Sequence, residues 1–307
     1  MEIRKFYPNT SEIDTWMEEI WEAAKNLEVT VTHEPVPETL TGPFQVFANN
    51  VYLRFTEPDG SYFYAVYQPA LSGPAPLVVH VPGYGSEVSI HPEIQAQGFS
   101  VLHVQPMGYM NPVERNLEKW DKNSDSWPVL PDTVRTFGKG GYKTFLTQCA
   151  AAILYTWTLP GVLPDRVSFF GTSQGGGCSL LLGSLFAGKG CRCVAADEPF
   201  LTNYEVADFR GAYGILNHAI GQLKEQGLLE KGLHSLGLVD TMNHAYRLQM
   251  PVMITSGTID DVCPPESIAP LFDLLPGTKC YMSTKGMAHG HNMEFTTMAA
   301  AWLRMHA

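Results

Sequence analysis

From Pro76 onward, short apolar runs alternate with stretches of helical spacing, and this alternation leaves few architectures open. Residues 76–81 (Pro-Leu-Val-Val-His-Val) read as a strand that ends in the loop Pro82-Gly83-Tyr84-Gly85, and residues 99–105 as the next strand. Residues 139–158 are helical by spacing, and 166–170 form another strand. Residues 191–196, 251–256 and 277–283 complete the strands before a terminal helix over 293–305. Short apolar runs without a polar face fit strands covered on both sides, and their interleaving with helices predicts an α/β chain. The expected fold is a mostly parallel central sheet with helices on both faces, within one domain spanning residues 1–307.

The segment before this pattern reads differently. Ser11-Glu-Ile-Asp14 begins like a capped helix, and Trp16, Ile20, Trp21 and Ala24 recur at helical spacing within a region that otherwise holds Pro-rich connections up to about Thr41. Residues 44–55 and 61–68 read as strands flanking the turn Glu57-Pro-Asp-Gly60, an antiparallel hairpin. Two later segments interrupt the alternation. Residues 107–138 are rich in Pro, Asn, Asp and Trp with no clear periodic run, and their length suggests an active-site or interface loop insertion. Residues 202–248, with Leu216, Ile220, Leu223, Leu228 and Leu229 among polar residues, read as a helical, lid-like insertion between two core strands.

Composition narrows the function. The 307 residues are 45% apolar and 17% charged, which excludes a disordered chain and a coiled coil. Acidic residues outnumber basic ones, 31 to 20, for a formal net charge of −11, and no Lys/Arg run offers a footprint for nucleic acid or anionic lipid. The first residues lack the apolar core of a signal peptide, and the most apolar stretch, 150–162, is too short to span a bilayer. The six cysteines at 149, 178, 191, 193, 263 and 280 are too sparse for a stapled scaffold. Cys191-Arg-Cys193 has no second Cys/His pair at metal-site spacing. Free thiols, a cytoplasmic location and no membrane partner are expected.

The motif that carries chemistry is Gly171-Thr172-Ser173-Gln174-Gly175, placed between the strand ending at Phe170 and an apolar helix. A serine on so sharp a strand-to-helix turn needs small neighbours, which the glycines supply, and the turn lifts Ser173 Oγ above the sheet. Its partners should follow in the order acid, then histidine. Asp260 and Asp261 lie just beyond the strand 251–256, with Asp260 favoured. His289 and His291 follow the strand 277–283, with His289 favoured because His291 lies nearer the last helix. Ser173, Asp260 and His289 together form a Ser–His–Asp arrangement. An oxyanion hole would draw on the backbone N–H groups of Gln174 and, from the loop after residues 76–81, Tyr84.

These residues resemble the acetyl xylan esterase / cephalosporin C deacetylase family of α/β-hydrolases. Gly171-Thr-Ser-Gln-Gly-Gly176 is similar to that family's G-x-S-Q-G-G elbow, and Asp260-Asp-Val-Cys-Pro-Pro265 to its acid motif, which favours Asp260. Asp197-Glu-Pro-Phe-Leu201 resembles its D-x-P-F-L segment. Two departures mark a divergent member. Pro106-Met107-Gly108-Tyr109 stands where the family carries Arg-Gly-Gln, and His289-Gly290 stands where it carries His-Glu. The resemblance implies an α/β-hydrolase fold and a serine ester hydrolase that removes short acyl groups, acetyl above all, from small carbohydrate or similar alcohol esters. It also implies a homo-oligomer, often a hexamer, with residues 107–138 between subunits. Neither cofactor nor metal is expected. The alternatives are a serine peptidase of the prolyl-oligopeptidase type, disfavoured by the lack of a propeller-sized N-terminal region, and a non-catalytic hydrolase-fold binding protein.

Overall fold

The computed structural model describes residues 2–35, 50–84, 89–108, 129–290 and 294–307. Its strands are β1 (Thr30–Pro35), β2 (Val51–Thr56), β3 (Tyr62–Gln68), β4 (Ala75–His80), β5 (Ser100–Gln105), β6 (Val162–Thr172), β7 (Cys191–Asp197), β8 (Val252–Gly257) and β9 (Lys279–Thr284). The first helices are α1 (Thr10–Lys25), α2 (Pro92–Gln95), α3 (Val129–Arg135), α4 (Tyr142–Thr156) and α5 (Gln174–Leu185). They are followed by α6 (Tyr204–Ala207), α7 (Leu216–Glu225), α8 (Leu229–Leu238), α9 (Pro265–Leu274) and α10 (Phe295–His306).

All nine strands join one sheet in the order β1-β2-β3-β5-β4-β6-β7-β8-β9. Strands β4 to β9 pair in parallel, while β1, β2 and β3 are antiparallel, and β3 runs antiparallel to β5. The expected hairpin is therefore a continuation of the central sheet. Its turn closes through the Gly60 N–H on Glu57 O at 2.9 Å, with Gly60 at φ +87°, a conformation glycine adopts without strain.

Because strand side chains alternate, each core strand feeds two cores. Leu77, Val79, Leu102, Phe169, Val194 and Ile254 face a large apolar core shared with α1, α4 and α5. Val78, Val101, Phe170, Ala195 and Met253 face a smaller one sealed by Phe295, Trp302 and Leu303 of α10. Helices thus cover both faces, as expected of this class.

Three sequence readings need correction. The segment before Thr41 contains a strand, β1, which caps the sheet edge and lacked a clear signal between Pro-rich stretches. The first helix starts earlier than Ser11: Asn9 is its cap, accepting from Glu12 N, while the Glu12 side chain accepts from Asn9 N. The segment 107–138 ends in α3, where Val129, Leu130 and Val134 are buried; residues 109–128 lie outside the described residues.

Residues 202–248 form helices α6, α7 and α8 with 3-10 turns between them, anchored by buried polar groups. Asp240 accepts from the backbone N–H groups of Asn203 and Met242 at 2.9 and 3.1 Å, and Thr202 and Thr241 share a 2.7 Å hydrogen bond. The N-terminal segment clamps this insertion. Arg4 donates to Asn203 Oδ1 at 2.8 Å and Tyr7 Oη to Asp240 Oδ2 at 3.3 Å.

Candidate active site

The bend after β6 is built from strained but fully pinned backbone. Ser173 has φ +59° and ψ −120°, a region that costs a non-glycine residue roughly 1–3 kcal/mol. Its N–H donates to Asp197 O at 2.9 Å, and its carbonyl accepts from Phe200 N at 2.9 Å and Gly177 N at 3.0 Å. Glycine is obligatory around it. A Cβ at 175 would lie 2.1 Å from Val81 O, and one at 177 would lie 1.9 Å from Phe200 O. β4 and the segment after β7 can therefore close on the helix without a gap.

Ser173 Oγ lies 2.9 Å from His289 Nε2, and His289 Nδ1 lies 2.8 Å from Asp260 Oδ2. The second Asp260 oxygen accepts from Val262 N and Cys263 N, both at 2.8 Å, so the turn after β8 fixes the carboxylate before α9 begins. Asp261, the rival acid, is exposed, whereas the Asp260 side chain is fully buried. His291 lies outside the described residues. Gln174 opens α5, where N–H groups have no partner within the helix, and its side chain accepts from Tyr142 Oη at 2.9 Å. Tyr84 lines the cavity beside Gly83.

Sequence reasoning missed Glu198, which follows β7 with φ +44° and no solvent exposure. Its Oε2 accepts from Gly290 N at 2.7 Å and lies 3.4 Å from His289 Nδ1. A second carboxylate thus approaches the imidazole from β7, although position 290 carries none. Burial, reinforced by the charges of Asp197 and Asp260 against the Gly290 N–H, pushes the Glu198 carboxyl up to about 7. Burial pulls His289 down, but the Asp260 hydrogen bond and the charges of Asp260, Glu198 and Asp197 outweigh it and hold the imidazole above its usual 6.5. The available signal was position: an acidic pair at the C-terminal end of a core strand faces the crevice where α/β sheets place their sites. Its neighbour Asp197 ties three strand ends, accepting from Thr172 Oγ1 at 2.9 Å and from Thr255 Oγ1.

Met107, where the resemblance expects an arginine, has left-handed backbone at φ +63°. Its N–H donates to Gln148 Oε1 at 2.5 Å, and Gln148 in turn donates to Glu57 Oε1 at 2.7 Å. A glutamine from α4 thus holds the loop after β5.

Ser173 and His289 open into a cavity of about 720 Å³. Phe200, Ala212, Ile215 and Val262 form an apolar wall, so the 202–248 insertion contributes directly to the site. His80, Ser89 and His91 form a polar wall. Burial and the neighbouring imidazoles push His80 well below its usual value, and burial, with a lesser contribution from His91, brings His103 to about 3. No described helix is long and apolar enough to cross a membrane. All six cysteines are free thiols.

A hydroxyl on a strained strand-to-helix bend, above a mostly parallel sheet with helices on both faces, defines an α/β-hydrolase. The sequence profile of the acetyl xylan esterase family (AXE1) matches residues 2–306, and the chain belongs to that family of serine carboxylic-ester hydrolases. It is 25% identical over 316 residues to acetyl esterase Axe7A of Xylanibacter ruminicola, covering 98% of this chain and 68% of that protein. Among solved structures it resembles acetyl xylan esterase 1 from Thermoanaerobacterium sp. JW/SL YS485, with a TM-score of 0.80 at 21% identity over 99% of this chain and 98% of that one. The acetyl xylan esterase of Paenibacillus sp. R4 gives 0.76 at 17% identity over the same shares. Family membership favours ester hydrolysis over the peptidase and binding-protein alternatives.

Proposed function

We propose that this esterase removes acetyl groups from small carbohydrate esters through an acyl-enzyme on Ser173, with His289 as general base and Asp260 as its orienting acid. The observation that carries the reading is the pair of hydrogen bonds in series, 2.9 Å from Ser173 to His289 and 2.8 Å from His289 to Asp260. Ser173 Oγ attacks the ester carbonyl as His289 Nε2 takes its proton. The tetrahedral intermediate collapses, the C–O bond to the alcohol breaks, and His289 returns the proton to the leaving oxygen. Water, deprotonated by the same imidazole, then releases acetate and restores Ser173.

Asp260 keeps Nδ1 protonated and stabilises the imidazolium that forms. The N–H groups of Gln174 and Tyr84 are assigned to the oxyanion, each worth roughly 10²–10³ in rate. A small acyl group suits the mixed walls of the cavity, and the acetyl esters named for Axe7A and the two structural relatives support the choice.

The same reading includes a cytoplasmic protein, consistent with unpaired cysteines, and a closed homo-oligomer. Light scattering coupled to size exclusion tests the oligomer; a monomer would refute it. For the chemistry, 4-nitrophenyl acetate is hydrolysed by the wild type, and Ser173→Ala loses at least about 10⁴-fold in kcat. Acetyl is preferred over butyryl and longer chains. Equal rates for the two proteins, or a preference for long chains, would contradict the assignment.

A further inference from the structure

We propose that His80, His91 and His103, with Ser89, form a binding site for a divalent transition-metal ion of the Zn²⁺ class on the wall of the Ser173 cavity. His80, the last residue of β4, and His103, within β5, are register partners on neighbouring parallel strands, so the sheet itself sets their rings side by side. His80 Nδ1 and His103 Nδ1 stand 2.7 Å apart. Ser89 Oγ lies 3.3 Å from each and 3.0 Å from His91 Nε2. One ligand atom from each histidine lies within 4.8 Å of the others.

The competing reading is an ordinary hydrogen-bonded cluster. His91 Nδ1 is 3.1 Å from Glu93 Oε1, which leaves its Nε2 turned inward toward Ser89 Oγ at 3.0 Å. A cation at the common centre uses every inward lone pair at once, with both strand histidines carrying their proton on Nε2.

The donor set is right for a borderline-soft ion: three imidazole nitrogens and one hydroxyl oxygen. With metal–nitrogen bonds of about 2.0–2.1 Å, tetrahedral coordination spaces the nitrogens about 3.3 Å apart, so the 2.7 Å pair need open by only about 0.6 Å. The Glu93–His91 contact has the form of the carboxylate–histidine pairs that orient metal ligands. His103 Nε2 has no partner among the described residues in either tautomer, so it does not discriminate between the two readings. The surrounding rings hold the cluster in place: Phe170 packs 4.8 Å from His80 and 5.0 Å from His91 between ring centroids. Among the described residues, Glu198, Asp260 and His289 form the one other such group, and it must be distinguished by experiment.

The test is calorimetric titration of Zn²⁺ into chelator-stripped full-length protein, repeated with Co²⁺ to read the visible bands of a four-coordinate site. Wild type should take up one ion per chain. His91→Ala, on the cavity wall, should weaken binding at least 100-fold and erase the Co²⁺ bands while circular dichroism shows an intact fold. Glu93→Gln should weaken binding 10–100-fold. Asp260→Asn should bind as the wild type does. No stoichiometric uptake, or uptake unaffected by His91→Ala, would overturn the proposal, as would uptake lost in Asp260→Asn. None of these readouts depends on ester hydrolysis.

Discussion

Two carboxylates meet one imidazole in this site, and they act differently. Asp260 sits on His289 Nδ1 at 2.8 Å with its other oxygen locked by backbone, while Glu198 lies farther off at 3.4 Å and bonds the next residue's N–H. Burial lifts the Glu198 carboxyl to about 7, and to the extent that it is ionised its negative charge favours the imidazolium, against the neutral base that the proposed attack on an ester requires. In the proposed mechanism His289 acts deprotonated, and because its pKa is held above 6.5, kcat/KM should already be falling on the acidic side at a higher pH than for a free imidazole. Glu198→Gln removes one cause of the upward shift. The acidic limb of the kcat/KM profile should therefore move to lower pH, and an unmoved or raised limb would contradict this role. Glu198 escaped sequence reasoning because it is brought to His289 and Gly290 by the turn after β7, its hydrogen bond to Gly290 spanning 92 residues of chain. Ser173, by contrast, announces itself through its own neighbours.

At the level of elements, the bend between β6 and α5 depends on the absence of side chains. Gly177→Ala would drive a methyl group to 1.9 Å from Phe200 O, which is backbone and has little room to yield. Overpacking of this kind costs about 1–3 kcal/mol or more, read as a lowered urea midpoint with an unchanged slope. Wild-type stability in this variant would show that the segment after Asp197 does not press on the helix. The strands of the parallel core were legible because burial on both faces leaves uninterrupted apolar runs, as at Val252–Gly257. β1 was not, because an edge strand such as Thr30–Pro35 carries polar residues on a half-covered face. The cluster of His80, His91 and His103 was illegible for a related reason: its members meet only through sheet register and a loop, and no local motif relates them.

Across the whole molecule, one apolar core joins parts that are far apart in sequence. Ile20 of α1, Phe55 of β2, Phe145 of α4, Leu236 of α8 and Ile254 of β8 belong to the same buried cluster. We infer a single cooperative unit, as expected for one domain. Ile20→Ala and Ile254→Ala, each costing about 2–5 kcal/mol, should lower one shared melting transition seen alike by circular dichroism and tryptophan fluorescence. Two separable transitions would instead divide the chain. The insertion 202–248 shares this core and also supplies Ala212 and Ile215 to the cavity wall, so site and fold are not independent. The central claim is that the ester passes through a covalent intermediate on the elbow serine. It is tested most directly by acid-quenching 4-nitrophenyl acetate turnover within the first catalytic cycles and mapping the product by peptide mass spectrometry. The account predicts one acetyl group on the peptide containing Ser173, absent from Ser173→Ala. Turnover with no acetylated peptide, or with the acetyl group on another residue, would contradict it.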